Sequence, residues 1–565
     1  MKKNFMKVIA IVLCLMMAIP AASLFVGAEE APKWEGEIAT EFAGGKGTAG
    51  DPFQITTGDH LALLSDAINY GVDGEYVDLG GLYFKVMNDI DMNGVPFEPI
   101  GGEIDSSYFS GNFDGNGKTI YNLNLMGEFA SSFMNVGLFG CTKDAVIKNV
   151  NIGQMVATNG LTSTAYFNVG TLIGKAINTK VVNCHIQSDM GLAACLPQSQ
   201  TTLYAGGLIG MIQDGGLVKG CTYKGTMVMH GRGDPDENNP GNRVAVLAGA
   251  LVGRADADAG NDSMVVTIED CIVDGKISLA GPCYHSGFAG ILGVWYNGWG
   301  ATDAFSSDFV RIYFRNLLVS ADIDISEIDY SRTPPGDSPN GNQYTKVGGI
   351  TAWRGSGYVS FDNCHTTGEF KGVGEDFKGT GSCWYGGISG PSAGSKSTYV
   401  NCSTSLDRFM TTKEERNEDD SIKFKENWTG VFDEATCLVN NTSMRELAKA
   451  TIEANIAALA EYDDEYDPDM WDIINPWYDG PMTDDETGDD TTDDTADTTD
   501  DTVDTTDDTA DTTDVNGGEN AGTEPAGSDD EPAKGGCGGS ITMAGIAMVA
   551  ALGAAAVVVA KKKED

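Results

Sequence analysis

One short pattern recurs along this chain and restricts what it can fold into. Its clearest copy runs from Ala205 to Tyr223: AGGLIG, a polar gap, then LVKGCTY. The glycine half returns as VGLFG at Val136, VGTLIG at Val169, LAGALVG at Leu247, GFAGILG at Gly287, VGGITAW at Val347 and YGGISG at Tyr385. The second half returns as TIYNLNL, VIKNVNI, VVNCHI, TIEDCIV, YFRNLLV, SFDNCHT and TYVNCST. Aligned on the residue after the Asn, the copies put Leu123, Val150, Cys184, Cys221, Cys271, Leu317, Cys364 and Cys402 in one register, at intervals of 27, 34, 37, 50, 46, 47 and 38 residues. Fixed local spacing with variable intervals marks a structural repeat carrying loop insertions, with a period typical of solenoids and propellers.

Three residues before each aligned position lies a bulky apolar residue: Ile120, Ile147, Val181, Val218, Ile268, Phe314, Phe361 and Tyr399. Residues three apart on a strand face opposite sides, yet both positions are apolar. A sharp bend between them returns both to the interior. The residue just before the aligned position is Asn122, Asn149, Asn183, Gly220, Asp270, Asn316, Asn363 or Asn401. Asn, Asp and Gly are the types that tolerate a left-handed backbone. Each repeat therefore reads as strand, one-residue corner, strand. Stacked corners describe an all-β fold, a right-handed parallel β-helix, with an Asn ladder at the corner and a Cys/Leu/Val ladder inside. A propeller, the competing repeat fold, needs four antiparallel strands per blade, and the Asn-Gly or Asp-Gly hairpins that would build them are scarce.

The start reads as a secretory signal over residues 1–28: Lys2, Lys3 and Lys7, the apolar run Val8 to Phe25, then the small-residue site Val26-Gly27-Ala28. The mature chain is expected to begin at Glu29. Net charge is -46, from 36 basic and 82 acidic side chains. That balance argues against nucleic acid as a partner, because phosphate binding needs a basic footprint. Of twelve cysteines, Cys14 leaves with the signal, and five of the remainder sit in one repeat register, where a small buried thiol serves as an interior residue. Neighbouring thiols would stack about 4.8 Å apart, which leaves bridging between them open. Cys184-His185 and Cys364-His365 put neighbours on opposite strand faces, and no C-x-x-C occurs, so the spacing assigns no metal and no cofactor.

A helix is expected after Asp59 as N-cap, with Leu61, Leu64 and Ile68 on one face and Gly71 as its stop. It would cap the open end of the array. The run GDPFQITTGDHLALL, YFKVMNDIDMNG, FEPIG, FSGNFDGNGKTIYNLNL and VGLFG resembles the opening segment of bacterial surface proteins with GLUG-type repeats. These are related to the repeat region beside some immunoglobulin A1 proteases. The resemblance covers roughly Gly44 to Met482. It implies a right-handed parallel β-helix, display on a Gram-positive-type bacterium, and an adhesion or binding role. The protease of that family carries a zinc H-E-x-x-H. None of the five histidines here, His60, His185, His230, His285 and His365, begins such a motif, so no peptidase activity carries over.

Ser443 and Glu446 read as a capping box opening a helix with Leu447, Ile452, Ile456 and Leu459, expected to pack on the far end of the solenoid. The β-helix with its caps is thus assigned to 29–482. Residues 483–539 begin with a run built almost wholly of Asp and Thr, which cannot bury a core and repels itself into an extended linker. Residues 540–560 are uncharged and long enough for one membrane crossing. Lys561-Lys562-Lys563 place the tail 561–565 in the cytoplasm and the β-helix outside.

Candidate chemistry is sparse. Arg232-Gly233-Asp234 spells an integrin-type tripeptide, but a solvated turn is the better reading. Asp256-Ala257-Asp258 opens like a calcium loop, yet Gly260 comes a place early and the twelfth position is Thr267 rather than Glu. Acids such as Asp270 and Asp274 are plentiful without forming an obvious catalytic pair. The aromatics say more. Trp295, Tyr296 and Trp299 follow one glycine strand, Trp353 follows the next at nearly the same offset, and Trp384 and Tyr385 open the one after. Stacked, they would form a strip of rings suited to sugar faces. The expected function is a membrane-anchored adhesin or ligand-binding surface protein, with an extracellular glycan or protein as partner. A surface polysaccharide lyase or glycoside hydrolase on the same scaffold is the alternative.

Overall fold

The computed structural model describes residues 31–459 apart from 72–78, 103–106, 126–134, 156–166, 196–200, 233–243, 258–263, 284, 298–309, 330–343, 354–357, 379–381, 391–395, 410–412, 417–421, 426–429 and 433–436. The signal, the acidic linker, the apolar segment 540–560 and the basic tail lie outside the described residues. Among the described residues, no helix is long and apolar enough to cross a membrane.

The described chain is mostly strand. One sheet of 23 strands and one of 7 hold the repeats, with parallel pairing throughout their named strands. Equivalent strands of successive repeats pair in register: Val181 with Val218, Ile268, Phe314, Phe361 and Tyr399 in turn. This is the pairing a β-helix requires. Among the named strands, antiparallel pairing is confined to Lys413–Arg416 with Ile422–Lys425.

The corner forms as its residue types dictate. Asn122, Asn149, Asn183, Asp270, Asn316, Asn363 and Asn401 all hold φ between 51° and 55°, and Gly220 holds 66°. Their side chains climb the stack: Asn183 Nδ2 donates to Asn149 Oδ1 at 2.7 Å, Asn363 to Asn316 at 3.0 Å, and Asn401 to Asn363 at 2.8 Å. The bend brings both flanking positions inside. Ile147, Val181, Ile268, Phe314, Phe361 and Tyr399 are fully buried, and so are Val150, Cys184, Cys271, Leu317, Cys364 and Cys402. Phe361 and Tyr399 stack with centroids 4.7 Å apart and planes 2° from parallel. A second left-handed corner lies at Asp144, Asn178 and Asp214, where Asn178 Nδ2 donates to Asp144 Oδ1 at 2.7 Å.

The glycine half solves a different problem. There the chain passes from the smaller sheet to the larger one so tightly that the two backbones touch. A Cβ at Gly210 would lie 2.6 Å from the Val169 nitrogen and the Gly174 oxygen. No side chain fits that approach. The Leu or Ile that follows the turn, at Leu138, Leu172, Leu208, Leu251, Ile291, Ile350 and Ile388, is fully buried in every copy.

Among the described residues, two α-helices flank the sheets. Helix α1, Gly58–Asn69, buries Leu61, Leu64 and Ile68, and Ser65 Oγ donates to the Glu98 and Pro99 carbonyls. Its N-cap is Thr57 rather than Asp59, and Gly71 follows in the left-handed region at φ 71°. Helix α2, Ser443–Ala458, corrects the expectation of a cap on the far end. It runs along the flank, against strands Met264–Pro282, Val310–Asp329 and Tyr358–Thr367. The expected capping box does not form either. The N-cap is Thr442, and Asn441 Oδ1 accepts from the Ser443 and Met444 amides. Of the expected apolar face, Ile452 is buried while Leu447 is 80% exposed.

Candidate functional site: an aromatic and cationic seam

Where the two sheets meet at the glycine turns, their outward faces converge. One wall is the register column Asn168, Tyr204, Leu247, Gly287, Lys346 and Trp384. The other is Lys175, Met211, Arg254, Val294 and Trp353. Tyr204, Leu247 and Val294, with Trp353 against them, form an apolar cluster separate from the main core. The glycine at 287 lets Leu247 lean across, since a Cβ there would meet Leu247 Cδ2 at 2.9 Å.

Cations lie on the rings of this seam. The Arg254 guanidinium sits 4.5 Å from the Tyr204 ring centroid, and the Lys346 ammonium 2.8 Å from that of Trp353 and 5.5 Å from that of Trp384. Ring quadrupoles attract such cations, more strongly where water is excluded. Arg254 also pairs with Asp256 two residues on. Burial pushes the Lys346 ammonium well below the ordinary lysine range.

The expected strip of rings divides here. Trp353 is in register with Val294, so Trp295 and Trp353 do not share a column. Trp295 continues the column of Ala255, a core residue, whereas Tyr296 continues that of Asp256. A one-residue offset moves a strand position to the opposite face. Trp353 is half-buried in the seam; the side chains of Trp295 and Tyr296, and all of Trp299, lie outside the described residues. Trp384 joins Trp353 instead, through Lys346. The signal for this pairing was the glycine-strand register itself, which aligns Trp384 with Lys346.

Among the described residues, the Cys and His motifs serve the scaffold. Asp256 is held by Arg254, so it is committed before any calcium loop begins; Asp258 and Gly260, like Gly233 and Asp234, lie outside the described residues. The register cysteines Cys184, Cys221, Cys271, Cys364 and Cys402 are buried, unbridged thiols. Burial raises the Cys221, Cys271 and Cys402 thiols well above their usual range. His185 and His365 make the same pair of contacts in different repeats: Nδ1 to Thr222 or Ser403 at 2.9 Å, and Nε2 to the corner Asn183 or Asn363 at 3.1 and 2.8 Å. Burial, with Arg445 nearby, holds His365 down at about 4. On the flank beneath α2, Lys219, Glu269, Arg315 and Asp362 stack with alternating charge, Lys219 to Glu269 at 2.6 Å and Arg315 to Glu269 at 3.8 Å.

No family model matches the sequence, and no curated protein matches it. Among solved structures, the chain is similar to a protein designated an immunoglobulin A1 protease from Bacteroides ovatus, at 17% identity over 62% of this chain and 86% of that one, with a TM-score of 0.37. It is also similar to a structure named IgA1 protease, at 15% identity over 70% of this chain and 24% of that one, with a TM-score of 0.36. Both likenesses are distant and partial.

Proposed function

We propose that this is an exported, surface-anchored protein whose repeats form a right-handed parallel β-helix of GLUG type, and that it works as an adhesin of a Gram-positive-type bacterium, holding a glycan or a host or matrix surface. The observation that carries this reading is the seam. It gathers two half-buried indoles, Trp353 and Trp384, around one ammonium on an outward face, whereas the repeat's own Cys, His and Asn are spent inside the fold or along its corners. Indole faces with a few polar groups suit the apolar faces of sugar rings. The reading assigns no bond-breaking step to the chain.

The test is a glycan and matrix-protein array probed with residues 29–482, then with Trp353→Ala. Retention of a glycan class by the parent, weakened about tenfold by the substitution with the β-rich circular dichroism spectrum retained, is expected, because an aromatic contact is worth about 0.5–1.5 kcal/mol beyond its buried area. Equal retention by both would remove Trp353 from the binding surface.

A further inference from the structure

The corner ladder is broken at one place, and a helix fills the break. Six of the eight corners carry Asn; the exceptions, Gly220 and Asp270, are consecutive. Gly220 supplies no acceptor for the next side chain, and the Asp270 carboxylate has no proton to donate downward. The two departures therefore match each other. Above the break, Asn316 donates to Asp270 at 3.0 Å. Below it, Asn183 donates to Asn149.

Helix α2 enters this gap from the side. Asn455 Nδ2 donates to the same Asp270 oxygen at 2.8 Å. Leu459, the residue after the helix, occupies the space a corner side chain would take: a Cβ on Gly220 would collide with Leu459 Cδ1. Ile452, one turn before Asn455, is fully buried. The first turn of the helix brings Arg445 close to His365, three repeats further along the stack. The lengths agree. Sixteen residues rise about 24 Å at about 1.5 Å each, while the four steps from Asn401 back to Gly220 span about 19 Å at about 4.8 Å each.

We propose that α2 is a strap, and that the Gly220–Asp270 gap is its socket, which carries the outgoing chain from the last repeat back to the flank beside the fourth. Leu459 then ends the helix at the side of the array, beside the fourth repeat. The strap also shields the charged column Lys219, Glu269, Arg315 and Asp362 from water, which strengthens those pairs. Placing Asn at 220 would extend the ladder and evict the strap.

The test places a photoreactive benzoylphenylalanine at Leu459 in the full chain and maps the crosslinks by mass spectrometry. Crosslinks to peptides around Gly220 and Asp270 are expected. Crosslinks confined to 396–441, or none to any repeat, would overturn the proposal. In a Gly220→Asn background the crosslink should vanish and amide exchange in 446–458 should quicken by tenfold or more. A crosslink that survives unchanged would refute the socket. Asn455→Asp changes only the helix, setting a second carboxylate against Asp270, and should release the strap in the same way; retained protection of 446–458 in that variant would equally count against it.

Discussion

Replacing Asn363 separates the two jobs of a corner residue. Its Nδ2 donates to Asn316, and its Oδ1 accepts from Asn401 and from His365 Nε2, at 3.0, 2.8 and 2.8 Å. It also holds φ at 52°. Asn363→Gly keeps the left-handed backbone accessible but removes three hydrogen bonds. At about 0.5–1.5 kcal/mol net for each bond, offset where water replaces the lost partner, the cost should be about 2–3 kcal/mol. Asn363→Ala loses the same bonds and must also hold a left-handed φ, which costs a residue with a Cβ about 1–2 kcal/mol. Glycine's greater freedom in the unfolded chain, about 0.5–1 kcal/mol, narrows the gap, so Ala should exceed Gly by about 0.5–1 kcal/mol. Asn363→Asp retains both acceptor contacts and should lose only about 1 kcal/mol. Guanidinium denaturation followed by circular dichroism gives the three values, with tryptophan fluorescence checking that the repeats unfold together. Two outcomes would refute the reasoning: a Gly variant within about 0.5 kcal/mol of the parent, or an Ala variant no less stable than Gly.

Gly210→Ala should prevent the sheets from closing at that repeat, costing more than about 3 kcal/mol because the obstructing atoms are backbone; limited proteolysis would show cleavage near 206–212, and an intact, unshifted melt would contradict it. The buried thiols should resist a thiol reagent in native buffer and all react once the chain is unfolded; rapid native labelling of Cys221 or Cys271 would show that the column is not closed. For His365, the native state favours the neutral ring, so its stabilisation is complete above the unfolded value of 6.5 and declines as pH falls from there toward about 4. The loss should be about 2 kcal/mol after allowing for partial solvation, and His365→Gln should flatten the decline; parallel pH profiles for parent and variant would exclude this histidine.

Much of the fold was legible because the constraint repeats. A single Asn before an apolar residue says little, but eight aligned positions drawn only from Asn, Asp and Gly define a left-handed corner, and all eight adopt it. The second corner, at Asp144, Asn178 and Asp214, escaped because its column is short and its neighbours vary. The path of α2 escaped for a different reason. Its apolar positions suggested a buried face, but a helix sequence does not state which surface it meets, and Leu447 faces solvent. The clue lay elsewhere, in the paired departures from Asn at 220 and 270. The ring strip shows the same limit: an offset counted along sequence is accurate to a residue, and a residue is enough to exchange the faces of a strand.

The division between scaffold and surface follows from what stacking demands. A column in which each residue meets its own equivalent above and below favours side chains that satisfy themselves: Asn donating to Asn, Phe stacking on Phe, thiol beside thiol. Such columns use up the residues that ordinarily carry chemistry. Cys184, Cys221 and Cys271 are sealed by burial, and each ring of His185 and His365 spends one nitrogen on the next repeat and the other on the corner Asn of its own. Function in such a fold therefore depends on columns that fail to repeat. The seam is one: Tyr204, Leu247, Gly287, Lys346 and Trp384 succeed one another in a single register with no two alike. The corner at Gly220 and Asp270 is another, and there the irregularity is filled by the chain itself. The seam's irregularity has the half-buried indoles Trp353 and Trp384, which is why a ligand is sought there rather than along the ladders.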